Sequence, residues 1–311
     1  MCSQGAQELK LEIGGVVLSI ELCGAEGGCE VDEPYRSFLS DKSPEATFRV
    51  KRGPLPDPAS LEEVFDAGGS WRMYRLREAW CVVLQAPALG PEPYQIAVVE
   101  SDFSKGDVYT RDDAPRHGLG ACGLGRPMLE VLFVNLLSRG RGVLLHACAV
   151  RDNDRGFLFA GTSGSGKSTM ADLWKGRTGA TILSDDRVVV REMDGRFWAY
   201  GTPWHGDVRL CSPERVPLDQ IFVLRHGEET SVRPLEAPSA LTSLFARSFA
   251  TYWYPEGLDF SLDFLGRVSS VVPCDELAFL PDPATIDFVR TLDDGQPRHS
   301  SAHSDSRVVA P

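Results

Sequence analysis

The sequence predicts an α/β protein: a domain with a mixed β-sheet built around a phosphate-binding loop, preceded by a β-rich region. Three observations carry this. Residues 9–99 alternate apolar and polar over several short runs, as half-buried strands do. Phe157-Leu158-Phe159-Ala160 then reads as a buried strand, and it runs straight into Gly161-Thr162-Ser163-Gly164-Ser165-Gly166-Lys167-Ser168-Thr169. That stretch matches G-x-x-x-x-G-K-[ST] in full, in the strand-to-helix setting the pattern needs.

In the N-terminal region, 9–23 alternates on either side of Gly14-Gly15, a hairpin signal. Ala46–Val50 suggests a further strand, and Pro54, Pro56 and Pro58 break the pattern. Alternation resumes at Trp71–Leu76, Ala79–Leu84 and Tyr94–Val99, so residues 1–125 are expected to form a mostly antiparallel β assembly. Its Trp and Tyr residues are read as cross-strand packing. The stretch 103–125 is polar and Gly-rich, and the boundary is placed there.

The second domain is expected over 126–292. Leu129, Leu132, Phe133, Leu136 and Leu137 recur at helical spacing and give one apolar helix face. Val143–Val150 reads as a buried strand interrupted by His146, with a turn at 152–156 leading into the loop strand. A short helix from about Lys167 to Lys175 follows the loop, ended by Gly176 and Gly179. Strands follow at Ala180–Ser184, Arg187–Arg191, Arg196–Tyr200 and Leu218–Arg225, and a helix at Ser239–Phe249. From Asp293 to 311 the chain is rich in Ser, Asp, His and Pro without periodicity and is expected to be a disordered tail, so His299 and His303 carry little weight.

Composition narrows the function classes. The excess of 44 acidic over 32 basic side chains gives a net charge of −12, which argues against general nucleic-acid or anionic-membrane binding. No run has signal-peptide or membrane-span character, so a cytoplasmic protein is expected. Eight cysteines without a Cys-x-x-Cys pair are read as mostly reduced and buried, with no zinc site indicated; Cys23 and Cys29 flank a Gly-rich turn that could take a local disulfide or a metal.

The loop chemistry is specific. Its glycines allow tight turns that bring successive amides close to phosphate oxygens, and the following helix adds its positive end. Lys167 is placed to reach the β- and γ-phosphates, and the Ser168 hydroxyl to ligate the Mg²⁺ that bridges them. Asp185-Asp186 comes 18 residues after Lys167 at a strand end. Two adjacent acids allow one to touch metal while the other takes a proton from an attacking hydroxyl. His146 is either a satisfied core residue or, if parallel neighbouring strands bring its end beside the phosphates, a proton-transfer helper.

Leu144-Leu145-His146, the Leu158–Thr169 segment and Leu183-Ser184-Asp185-Asp186-Arg187-Val188 together resemble the catalytic core of bacterial HPr kinase/phosphorylase, in the fold group it shares with phosphoenolpyruvate carboxykinase. The resemblance covers roughly 140–192. It implies an ATP- and Mg²⁺-dependent kinase acting on a hydroxyl, with a serine of a protein or peptide as acceptor. It assigns Gly161, Thr162, Ser163, Gly164, Ser165, Gly166, Lys167, Ser168 and Thr169 to ATP, Ser168 and Asp186 to metal, Asp185 to the base, and His146 to its helper. Lys167 joins Asp185 and His146 in the catalytic set.

HPr kinases carry a downstream Glu-x-Arg-Gly-Leu-Gly signature. Here Tyr200-Gly201-Thr202-Pro203-Trp204-His205-Gly206-Asp207 stands in its place, which leaves the acceptor open and looks more like the divergent HPr-kinase-like proteins of bacterial peptide-modification gene clusters. Thr202, His205, Asp207 and Arg209 could line a substrate cleft, with Asp207 supplying an acid and Arg209 a charge for the transition state. The alternatives are a phosphoenolpyruvate carboxykinase-like enzyme and an ATP-binding switch or scaffold without catalysis. The family's homo-oligomers leave self-association open.

Overall fold

The alternating N-terminal runs become strands of one eight-stranded sheet in the computed structural model, which describes residues 7–23, 31–114, 123–292 and 307–308. The protein is α/β with two mixed sheets and few helices, and its N-terminal part is β-rich. The described residues form two compact units, one drawn from Met1–Arg141 and Ala250–Phe260, the other from Gly142–Phe249 and Ser261–Pro311.

In the first unit, β1 (Gln7–Ile13) and β2 (Val16–Cys23) form an antiparallel hairpin. Gly14 and Gly15 both have positive φ, +58° and +70°, the backbone that a two-residue turn needs to match the strand twist. Then come β3 (Ala46–Arg52), β4 (Glu62–Asp66), β5 (Trp71–Leu76), β6 (Ala79–Leu84), β7 (Gln95–Glu100) and β8 (Lys105–Thr110), in the order β1-β2-β3-β8-β7-β6-β5-β4. The β2–β3 and β3–β8 pairings are parallel and the others antiparallel. Strands β4 and β8 were not expected, and β8 lies inside the stretch read as a polar boundary. Leu11, Ile13, Leu18, Ile20 and Phe48 are fully buried in this unit.

Helix α1 (Glu33–Arg36) is one turn. Helix α2 (Met128–Leu137) is buried at all ten residues, which corrects the expectation of a single apolar face. Its two polar members are satisfied: Glu130 Oε2 accepts from Arg126 Nε at 2.8 Å, Asn135 Nδ2 donates to the Val131 carbonyl, and Asn135 Oδ1 accepts from Trp253 Nε1 at 2.9 Å.

The second unit holds β9 (Val143–Asp152), β10 (Arg155–Ala160), α3 (Lys167–Trp174), β11 (Ala180–Ser184), β12 (Arg187–Met193), β13 (Arg196–Tyr200), β14 (Arg215–Pro217), β15 (Gln220–His226), β16 (Ser231–Pro234) and α4 (Ala237–Phe245). Helix α5 (Pro255–Val271) contributes Ser261–Val271, followed by β17 (Cys274–Phe279), α6 (Ala284–Thr291) and the two-residue β18 (Arg307–Val308). The order is β14-β13-β12-β9-β10-β15-β17-β16-β18, with β11 also on β9.

Strands β10, β15 and β17 are mutually parallel, while β9 is antiparallel to β10. The condition set for His146, a parallel neighbouring strand, is not met: β9 and β10 form an antiparallel hairpin, and it is this reversal that lays the start of β9 against the end of β10. Phe157, Phe159, Phe222 and Trp174 form the centre of the core, with Phe159 and Phe222 stacked at 5.4 Å and Phe157 and Trp174 at 5.8 Å. Trp174 ends α3, so these contacts fix that helix against β10 and hold the intervening loop.

Helix α4 stops at Phe245, four residues before the expected end. Helix α5, β17 and α6 were not anticipated. Of the described cysteines, Cys81, Cys148, Cys211 and Cys274 are not disulfide-bonded and Cys23 is. The Cys29 side of the Gly-rich turn, residues 115–122 and, apart from β18, the tail from Asp293 lie outside the described residues. Among the described residues no helix is long and apolar enough to cross a membrane.

Candidate functional site

Strand β9 is longer than either neighbour on one side, and the site grows from that mismatch. Strand β11 pairs with its second half, ending at Ser184 opposite Ala149, and β12 pairs with its first half, starting at Arg187 opposite His146. Asp185 and Asp186 fall in the break. The buried Ser184 hydroxyl shapes the corner by accepting from the amides of Asp186 (3.3 Å) and Arg187 (3.1 Å), a side-chain-closed turn. The Ala147 amide donates to the Asp186 carbonyl, so the corner stays tied to β9.

The two acids are held differently. Asp185 is 2% exposed; its Oδ1 accepts from the Gly206 amide at 2.7 Å and its Oδ2 from the Val208 amide at 2.9 Å. It thereby fixes the Thr202–Arg209 segment, where Gly206 lies so close that an added Cβ would meet Asp186 Cβ at 3.2 Å and Asp185 Oδ2 at 3.3 Å. Asp186 instead takes side-chain partners: His146 Nε2 at 3.0 Å from Oδ1 and Arg187 Nη1 at 2.7 Å from Oδ2. Both His146 and Asp186 side chains keep some exposure, 28% and 19%.

The glycine-bearing loop begins beside this pair, with the Gly161 amide facing the His146 carbonyl at 3.5 Å. Gly164 and Gly166 have φ of +78° and +98°, a region L side chains rarely adopt. Lys167 is 7% exposed and its Nζ donates to the carbonyls of Gly161 (3.0 Å) and Thr162 (2.9 Å). Burial pushes its pKa down; Asp186 opposes this, while Arg187 and Arg247 add to it. The Ser165 hydroxyl is buried against Gly161 and has no hydrogen-bond partner among the described residues. His226 Nε2, at the end of β15, donates to the Gly164 carbonyl at 2.6 Å and so braces the loop tip.

The structure thus brings His146, the Gly161–Thr169 loop, Lys167, Asp185 and Asp186 into one part of the second unit. Thr202 is tied to the start of β12, donating its hydroxyl to the Arg187 carbonyl at 2.7 Å. Asp207 and Arg209 are exposed, with Arg209 at a φ of +58°. His205 Nδ1 donates to the Gly206 carbonyl at 2.9 Å.

No family model matches the chain, and no curated protein matches it either. The geometry must therefore carry the functional reading. It also adds residues to which the motif gave no role: Ser184, which forms the corner; His226, which braces the loop tip; Phe279, whose ring lies so close to Gly166 that an added Cβ would meet it at 2.7 Å; Arg187, paired with Asp186; and Arg247, whose carbonyl accepts from the His146 amide. Phe279 is an apolar strand-end residue with no sequence signal for this task. Arg187 stood in the quoted acidic motif without a role. Arg247, 101 residues after His146, could be found only through the fold.

Proposed function

We propose that the protein is an ATP- and Mg²⁺-dependent phosphotransferase that moves a γ-phosphoryl group to a hydroxyl, a serine of a protein or peptide being the acceptor suggested by the resemblance. The proposal includes a phosphate-loop domain of the HPr kinase/phosphoenolpyruvate carboxykinase type and work in the cytoplasm. Four cysteines outside any disulfide among the described residues fit a reducing compartment, whereas the disulfide at Cys23 does not.

The observation that carries the reading is that a loop with the G-x-x-x-x-G-K-[ST] pattern opens α3 immediately beside the hydrogen-bonded His146–Asp186 pair. The loop residues fit a nucleotide's phosphates. Its glycines hold backbone that a side chain would strain, and the orphaned Ser165 hydroxyl and the Lys167 ammonium both gain a partner from an oxyanion. A hydroxyl at Ser168 and the carboxylate of Asp186 are hard oxygen donors of the kind Mg²⁺ accepts alongside phosphates and water. A metal held by Ser168 and Asp186 would supply neutralisation of phosphate charge during transfer.

The chain's own residues divide the remaining work. Asp186 holds His146 through Nε2–H, and His146 Nδ1 has no partner among the described residues. His146, positioned by Asp186, is the proposed base, in place of Asp185, whose two oxygens hold backbone amides. As the acceptor oxygen bonds to the γ-phosphorus, its proton passes to His146. The bond from that phosphorus to the bridging oxygen breaks, and ADP leaves with the electrons. Lys167 and the loop amides balance the charge on the transferred group.

The test offers the purified protein γ-labelled ATP and Mg²⁺ with protein, peptide and metabolite fractions of a cell extract. Label should enter one fraction and vanish with Lys167→Ala. ATP binding with no labelled fraction would instead support the switch or scaffold reading.

A further inference from the structure

Beyond the end of β10, the place beside β9 is taken by Arg247–Phe249, the segment that follows α4. Leu145 and Ser248 form an antiparallel bridge. The His146 amide donates to the Arg247 carbonyl at 2.8 Å, and the Phe249 amide donates to the Leu144 carbonyl at 3.0 Å. On the other side of β9, His146 is opposite Arg187. Directly opposed residues of antiparallel strands project to the same face. Arg187, His146 and Arg247 therefore form a row across three strands, centred on the histidine that bonds Asp186.

The two arginines are not equivalent. Arg187 has Asp186 as its counter-charge and stacks over the Phe249 ring at 4.4 Å. Arg247 donates from Nη1 to the Ser243 carbonyl at 2.7 Å, and among the described residues no carboxylate pairs with it. Its Nε is buried without a hydrogen-bond partner, and burial pushes its pKa down. A half-buried guanidinium in that state is costly until an anion arrives. The chain has a net charge of −12, so cations gathered on one face are a local feature and not a general property of its surface.

We infer that the Arg187–His146–Arg247 row is an anion site that receives a carboxylate or phosphate carried by the acceptor molecule, close to the hydroxyl to be phosphorylated. This rests on the phosphotransferase reading and narrows it: the acceptor is itself anionic. In that reading the nucleotide's phosphates belong to the loop amides and Lys167. The forked donors of Arg247 and the uncompensated charge beside His146 then serve a second anion, for which a planar guanidinium is well suited. Its position on the row would hold the neighbouring hydroxyl next to the base.

The experiment uses the full chain saturated with a β,γ-imido ATP analogue and Mg²⁺, titrated calorimetrically at low salt with inorganic phosphate and, separately, with malonate. At least one anion should saturate a single site while nucleotide stays bound. Phosphate alone binding points to a phosphorylated acceptor; malonate binding points to a carboxylate-bearing one. Arg247→Gln and Arg187→Gln should each weaken the anion about tenfold or more, the loss expected for a charged hydrogen bond. Arg247→Lys, which keeps the charge, should fall between them and the native chain, with melting temperatures confirming that each variant folds. Nucleotide affinity of the Arg247 variants should stay within about twofold. The inference is overturned if neither anion saturates, if Arg247→Gln binds the anion as tightly as the native chain, or if the nucleotide analogue expels it. Failure of the analogue to bind, with anion binding retained in its absence, would overturn the phosphotransferase reading instead.

Discussion

His146 Nε2 lies 3.0 Å from Asp186 Oδ1, while the adjacent Asp185 spends its two oxygens on the amides of Gly206 and Val208. Neighbouring acids thus have separable tasks, and substitution should separate them. Asp186→Asn and His146→Gln should each lower phosphoryl transfer about 10²–10⁴-fold, the usual range for a lost base, with the fold intact. Asp185→Asn presents an amide group to one of two backbone donors and should cost about 1.5–3 kcal/mol of stability, read from urea unfolding. If Asp185→Asn keeps native stability but loses transfer, Asp185 is the base and the assignment above is wrong.

Lys167 should trade stability for binding. Its pKa is lowered in the fold, mainly by burial, so at neutral pH folding buries a charge. The unfolded chain binds the proton more tightly, so this penalty is full below the folded pKa and relieved as pH rises toward the unfolded value near 10.5. Lys167→Met should lose nucleotide binding yet melt no lower than the native protein at pH 7. Its advantage should shrink as pH rises above the lowered folded-state pKa toward 10.5. A variant that melts well below the native protein at pH 7 would show that the bonds to Gly161 and Thr162 outweigh the burial cost.

Cys211 offers a readout of Asp185 that needs no substrate. Burial, and then the Asp185 charge, push its thiol up to about 11. Asp185→Asn should lower that value while leaving it above the ordinary 9.0, because the larger cause remains. Thiolate absorbance followed during an alkaline titration, with Cys211→Ala as the blank, measures it. A pKa that does not move would remove Asp185 from the thiol's surroundings.

Much of the strand framework could be read from alternation, and the reasons for the omissions are physical. Strand β4, Glu62–Asp66, has no buried residue, and β8, Lys105–Thr110, buries only Val108 and Thr110, so neither has a strong apolar pattern. Helix α5 buries Gly257, Ser261, Phe264, Leu265, Val268 and Ser269 at helical spacing. Half of that stripe is Gly or Ser, and a hydrophobicity pattern cannot register it. In the site, the loop, His146 and the acidic pair carried local signals. The direction of β9 relative to β10 and the arrival of Arg247 beside His146 are tertiary facts, since strand pairing leaves no mark on either partner alone.

Gly166 separates two causes of glycine dependence at one position. Its φ is +98°, and an added Cβ would meet Phe279 Cζ at 2.7 Å. Gly166→Ala should therefore pay for both backbone strain, about 1–3 kcal/mol, and the overlap with the ring. Phe279→Leu removes much of the overlap but leaves the backbone unchanged. If the clash dominates, Gly166→Ala in the Phe279→Leu background should cost clearly less than in the native chain, and the double-mutant cycle gives the difference. Equal costs in both backgrounds would assign the requirement to the backbone alone. Nucleotide affinity should follow the same pattern, because Gly166 directly precedes Lys167 and α3, and moving it shifts the amides that open the helix.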